Sequence, residues 1–215
     1  MAETPRKEEF ISSQYFGVPI YEKFLPRYMS MKDSIVEHAH ALRKSDEGIR
    51  RSNQGGWHSK GDFHKTTHPE SQWLIKRLYE ISLACITDFE DGGPVEKVVM
   101  HEAWLNINQN GEWNAPHIHL PSKWSGVFYV EAGEPLVDDP DVFEGMILFF
   151  DPMPLGQEWK RPPAISFKPL TGHMLLFPSF LTHMVAPYFG KTPRISLAFN
   201  FQLFRQSKPG VRTPE

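Results

Sequence analysis

Past Pro94 the chain carries six short stretches rich in β-branched, aromatic and other apolar residues, each bounded by Gly, Pro, Asn or Asp: "EKVVMHEAWLNINQN", "SGVFYVEAG", "GMILFFDP", "AISFKP", "GHMLLFP" and "RISLAFNFQLF". No helical period intervenes between them. Strands joined by turns, without crossover helices, cannot build a parallel α/β sheet, so this half predicts an all-β sandwich or jelly roll. The 16 Phe and 19 Pro among 215 residues suit many short strands linked by proline-marked turns.

The grammar before Pro94 is different. "RYMSMKDSIVEHAHALRKS" (27–45) sets Met31, Ile35, Val36, Ala39 and Leu42 at helical spacing. "PESQWLIKRLYEISLACITDFE" (69–90) opens with a first-turn proline followed by acids and carries Trp73, Leu74, Leu78, Ile81, Leu83 and Ile86. The polar, glycine-containing segment between them reads as a long loop. These patterns predict a single domain over 1–215: a helical N-terminal extension (1–92) packed outside a jelly-roll core (93–207), followed by a polar tail (208–215).

Net charge is −3 with a pI of about 6.4, which implies no general attraction to nucleic acid or to an anionic membrane. One cysteine, Cys85, excludes an intrachain disulfide framework and suits a reducing compartment. The charged opening "MAETPRKEEF" lacks a signal-peptide core, and no apolar run reaches the length of a membrane span. A cytoplasmic protein acting on a small molecule or peptide is the expectation.

Chemistry-bearing residues come from the ten histidines. His38 and His40 form an H-x-H on a helical stretch, where two positions differ by about 200° in direction and cannot share one ion. His58, His64 and His68 fall in the polar loop and read as solvated, with a lid over a site as the other use for one of them. His101, on a strand, and His173, after a turn glycine, read as structural. His117 and His119 differ. On a strand, residues i and i+2 share a face about 7 Å apart at the base, and two imidazoles leaning inward can meet at a metal about 2.1 Å from each nitrogen.

"GEWNAPHIH" matches the first cupin motif, G-x5-H-x-H, with Gly111 in the glycine place. "GHMLLFPSFLTH" supplies Gly172, Pro178 and then His183 at the place of the second motif's histidine. In a jelly roll these strands lie side by side, so His183 is expected to complete a set with the pair. The glutamate that often follows a cupin H-x-H is absent, since Lys123 and Trp124 stand there, and Phe180 replaces a motif glycine. A four-ligand cupin site is therefore not expected.

Eleven positions beyond His183, "PRISLAFNF" puts Arg194, Ser196, Ala198 and Asn200 on one strand face and Ile195, Leu197, Phe199 and Phe201 on the other. Either the polar side faces water, or Arg194 and Ser196 point into the barrel while the helices cover the apolar side. A guanidinium inside a barrel needs an anion, and its planar fork suits a carboxylate.

With "WLNIN", "NAPHIH", "SGVFYV", "LFFDP", "GHMLLFPSFLTHMVAP" and "RISLAFNF", the stretch 96–204 resembles the iron(II)- and 2-oxoglutarate-dependent oxygenases, closest to a bacterial and phage group. The resemblance implies a double-stranded β-helix, Fe(II) at the histidine cluster, and 2-oxoglutarate held at its far carboxylate by Arg194 and Ser196. Tyr129 matches a position that in related hydroxylases donates a hydrogen bond to the same carboxylate, and is equally readable as a core tyrosine. The usual motif is H-x-D/E, with two histidines and a carboxylate; here His119 takes the middle place. The favoured metal set is His117, His119 and His183, against a carboxylate from elsewhere such as Glu131 or Asp151. Two rivals stay open: a three-histidine metalloenzyme that does not use 2-oxoglutarate, and a non-catalytic cupin-like binding module.

Overall fold

A computed structural model of the chain describes residues 11–15, 17–89, 95–136, 142–153 and 163–205. In chain order the elements are β1 (Ile11–Tyr15), β2 (Val18–Phe24), a 3-10 turn (Pro26–Ser30), α1 (Lys32–Ser45), β3 (Asn53–Gln54), β4 (Trp57–His58), a 3-10 turn (Phe63–Lys65), α2 (Pro69–Phe89), β5 (Val95–Asn108), β6 (Glu112–His117), β7 (Trp124–Glu131), β8 (Ile147–Phe150), β9 (Ala164–Phe167), β10 (His173–Pro178), β11 (His183–Tyr188) and β12 (Arg194–Arg205). They form two antiparallel sheets. The seven-stranded major sheet runs β1-β2-β10-β7-β12-β5-β4, and the five-stranded minor sheet runs β3-β6-β11-β8-β9.

All six expected β stretches are strands, and both expected helices form. The expectation fell short in the first ninety residues, which are not only helical. Residues 11–24 form two strands of the major sheet, and the presumed loop supplies β3 and β4. In "VPIYEKF" the first four residues are all buried. Val18 and Ile20 enter the core between the sheets while Tyr21 joins the core under the helices. A strand covered on both faces shows no polar alternation, which is why the sequence conceals it. The expected tail, 208–215, lies outside the described residues.

The apolar face of β12 is what the helices cover. Ile195, Leu197, Phe199 and Phe201 are buried in one cluster with Ile35 and Ala39 of α1 and Leu74, Leu78, Ile81 and Ile86 of α2. Closeness here is set by Gly126 on β7: a Cβ at that position would come 2.3 Å from the Phe199 ring and 2.9 Å from the Leu175 carbonyl oxygen. Polar ties fix the layer from its edges. The Tyr28 hydroxyl donates to the Val130 carbonyl (2.8 Å), and Lys32 pairs with Glu131 (2.6 Å). With one face of β12 sealed in this way, strand alternation sends Arg194, Ser196, Ala198 and Asn200 between the sheets. No helix among the described residues is long and apolar enough to cross a membrane.

Candidate active site

Between the sheets lies a cavity of about 520 Å³ whose lining includes His117, His119 and His183 from the minor-sheet side and Arg194, Ser196, Asn106 and Trp104 from the major sheet. His117 ends β6 and His183 begins β11, and the antiparallel register sets them opposite each other. His119 does not share a strand with His117 as the spacing had suggested. The strand ends at His117, and His119 belongs to the turn that follows. Its backbone N–H donates to the Ser179 carbonyl (3.0 Å) and its own carbonyl accepts from Ser122 (2.9 Å), so the turn carries the ring back to the pair. Ring centroids stand 4.8 Å (117 to 119), 4.4 Å (117 to 183) and 5.0 Å (119 to 183) apart. The ligand nitrogens all lie within 4.8 Å of one another, a group able to hold one metal ion.

Backbone carbonyls set the tautomers. His117 Nδ1 lies 2.7 Å from the Ala115 oxygen and His183 Nδ1 lies 2.9 Å from the Leu181 oxygen. Each Nδ1–H donates there, which leaves Nε2 as the free lone pair, the arrangement a metal needs from imidazole. Burial also holds all three rings neutral. It depresses His117, drives His183 well below its ordinary value, and pushes His119 down to about 3 with help from His117 and His58. No carboxylate belongs to the group among the described residues. Glu131 is engaged by Lys32, and Asp151 stands outside the set.

Rows of the major sheet define the opposite wall. His58 (β4), Asn106 (β5), Ser196 (β12) and Tyr129 (β7) lie side by side across four neighbouring strands. Arg194 lies one step along β12 from this row. It is fully buried, and none of its three guanidinium nitrogens has a hydrogen-bond partner. The Tyr129 ring lies 5.2 Å from its Cζ, Tyr188 packs nearby, and the Tyr129 hydroxyl, close enough to favour the guanidinium charge, makes no well-aligned hydrogen bond. A buried cation without hydrogen bonds costs several kcal/mol or more. Burial accordingly lowers the Arg194 pKa from its usual value, and raises that of Tyr129. The orphaned fork and hydroxyl fit the carboxylate of a bound acid, as the three neutral imidazoles fit a divalent ion.

Sequence reasoning missed His58. It is 6% exposed, lines the cavity and stacks on Trp104 at 5.4 Å and 7° between planes. Its Nδ1 sits 2.6 Å from the Ser59 oxygen, so Nε2 is left as an acceptor. A two-residue strand carries no periodic signal, and pairing with β5 alone draws the residue inward. Glu102 and Asn106 were missed too, although the alternation Glu102, Trp104, Asn106 along one strand was visible in "HEAWLNIN". Four of the remaining six histidines have structural partners. His38 and His68 stack at 4.2 Å about Ser71, His101 bonds Ser122 (2.9 Å) and His173 packs on Phe24.

Residues 102–200 match a family model described as "Putative 2OG-Fe(II) oxygenase". Among solved structures, the chain resembles a prolyl-4-hydroxylase of Pseudomonas putida with a TM-score of 0.60 at 16% identity, covering 85% of this chain and 91% of that one. SnoK, a non-heme alpha ketoglutarate dependent carbocyclase from nogalamycin biosynthesis, gives 0.61 at 10% identity, covering 85% and 78%. The epimerase SnoN, in complex with Fe3+, alpha ketoglutarate and nogalamycin RO, gives 0.59 at 13% identity, covering 91% and 87%. None of the curated proteins matches the sequence. At such identities the structural likeness carries the fold alone.

Proposed function

We propose that this chain is a 2OG-Fe(II) oxygenase, a reading supported by the family match over residues 102–200, in which His117, His119 and His183 hold the iron while Arg194, Ser196 and Tyr129 bind the far carboxylate of 2-oxoglutarate. Iron and 2-oxoglutarate, when bound, supply oxidative decarboxylation coupled to oxidation of a second substrate. Everything else is the work of the chain. His117 and His183 offer neutral Nε2 lone pairs on one side of the cavity, kept in that tautomer by the Ala115 and Leu181 carbonyls, and His119 completes the group. Arg194 presents a rigid fork at the dry end, where two parallel hydrogen bonds to a carboxylate set its orientation as well as its affinity. Ser196 and Tyr129 face the same space from adjacent strands, each able to donate one hydroxyl. Aromatic packing of Phe149 and Phe177 around His183 keeps water from that side.

The observation that carries this reading is the fully buried Arg194 with no partner for any nitrogen, in the same cavity as three convergent histidines. A metalloenzyme that does not use an acid cosubstrate has no need of such a residue. Titration of 2-oxoglutarate into iron(II)-loaded, oxygen-free protein tests it, read by the metal-to-ligand absorption of the chelate. Hydrogen bonds to charged groups contribute about 1.5–3 kcal/mol each, so Arg194→Ala or Arg194→Lys should weaken the binding at least tenfold and leave the iron content near that of the wild type. No absorption change at millimolar 2-oxoglutarate in the wild type would reject this use of the site. Undiminished binding in Arg194→Ala would leave the cosubstrate and move its anchor elsewhere.

A further inference from the structure

Glu102 stands at the other end of the cavity from Arg194. Its β12 partner is Asn200, six residues along the strand from Arg194, a separation of about 20 Å at the usual rise. Trp104, which lies between them on β5, touches the His119 ring at 5.4 Å. The order along the major sheet is therefore the buried cation, then the row facing the histidines, then Glu102. A molecule entering from the open end and reaching the histidines passes the Glu102 carboxylate.

That carboxylate is held in place. Asn200 donates from Nδ2 to Glu102 Oε2 (3.2 Å) and accepts from the Ser125 hydroxyl (2.7 Å), which in turn lies 2.7 Å from the Ser179 hydroxyl. Asn200, Ser125 and Ser179 are each at most 2% exposed, so this is a buried polar chain ending on one exposed acid. Burying three polar side chains on an inner strand face is costly unless each is satisfied, and here every link satisfies the next. Gly61 lies against the other carboxylate oxygen, Oε1: a Cβ there would be in van der Waals contact with it at 3.4 Å. Among the described residues no cation forms an ion pair with Glu102. His58 Nε2 adds a second acceptor on the same wall, and burial keeps that ring neutral. Arg51, an exposed cation, also lines the cavity.

We propose that Glu102 selects the second substrate by binding a protonated amine that this substrate carries. The proposal rests on the oxygenase reading of the histidines and Arg194 and names the substrate class for that site. A short aliphatic ammonium would span the roughly 7 Å of strand between Glu102 and Trp104, whose ring abuts His119. An anionic group on the same molecule would meet Arg51. The Glu102 carboxylate and His58 Nε2 supply acceptors on this wall, and they suit a donor-only ammonium, which keeps its charge and gains a charge-assisted contact.

The test uses the zinc-loaded full chain with saturating 2-oxoglutarate and three probes of one shape: n-butylammonium, n-butanol and n-butyrate. Affinities are read by saturation-transfer NMR in the wild type and in Glu102→Gln, which keeps the volume and the Asn200 contact while removing the charge. We expect n-butylammonium to bind the wild type threefold to tenfold tighter than n-butanol, and Glu102→Gln to erase that preference without changing n-butanol. Equal ammonium binding in the two proteins, or a wild-type preference for n-butyrate, overturns the assignment. The absorption titration with 2-oxoglutarate, run on the wild-type protein loaded instead with iron(II) and kept oxygen-free, separates the two failures. Loss of that signal rejects the oxygenase reading, whereas a normal signal with no ammonium preference rejects only the role of Glu102.

Discussion

The two sheets share one cavity and differ in what lies behind them. The major sheet is backed by both helices, and the outward side chains of β12 are fully sealed in that layer. Among the described residues no helix covers the minor sheet, and Leu148 and Phe150 on the outer face of β8 are only half-buried. Each sheet carries a different kind of group. A buried guanidinium needs a rigid, water-excluding wall, which the thick side provides. Two of the imidazoles, His117 and His183, take their Nδ1 anchors from carbonyls only two residues before them in the chain. Metal-binding capacity is thus a local property of the minor sheet, whereas anion binding at Arg194 depends on long-range packing behind the major sheet.

Four substitutions probe that division. The largest effect is expected from His183→Ala, which removes the one ligand candidate that faces His117 directly. It should weaken metal binding by about a hundredfold or more, measured as metal retained after dialysis, since even outer contacts of a metal site are worth 10- to 100-fold. Retention of a full complement of metal would remove His183 from the site. Next, Phe199→Ala should cost about 3–5 kcal/mol of stability in denaturant titration, as a fully buried aromatic under two helices. It should also loosen 2-oxoglutarate binding more than metal binding, and equal damage to both would erase the contrast between the sheets.

Arg194→Met should go the other way. In the absence of 2-oxoglutarate it replaces an unpartnered buried cation with an apolar side chain, and a gain of about 1–3 kcal/mol is expected. Thermal unfolding with and without 2-oxoglutarate reads both sides of the effect. The wild type gains stability with the ligand, and the variant does not. A destabilised Arg194→Met would mean the cation is satisfied in the free protein. Smallest is Leu148→Ala on the uncovered face, expected to cost under about 1 kcal/mol because the side chain is half in water already. A cost near that of Phe199→Ala would show that the minor sheet is also covered.

Much of the site was legible from the chain because its signals are local. "HIH", the distal His183 and R-x-S follow one another at fixed spacings, and the alternation in "RISLAFNF" already separates a polar face from an apolar one. Less legible was the third dimension of the same residues. His119 reached the cluster through a turn rather than the strand face expected for it, because the strand ends at His117 and a hydrogen bond to Ser179 takes over. His58 looked like a loop residue because two-residue strands leave no period to read.

What the sequence by itself determined is the type of each long element, the pairing of polar with apolar faces on β12, and the presence of three histidines and one arginine able to meet. These depend on side-chain volume, polarity and backbone preference over a few residues, which any stretch carries with it. Only the tertiary structure decided that residues 11–24 join the major sheet, that His58, Asn106, Ser196 and Tyr129 form one row, and that Glu102 ends a buried chain through Asn200. Strand order and register depend on partners a hundred residues away. A strand buried on both sides has no polar stripe to announce its neighbour, so the partner is chosen by packing that no local pattern encodes.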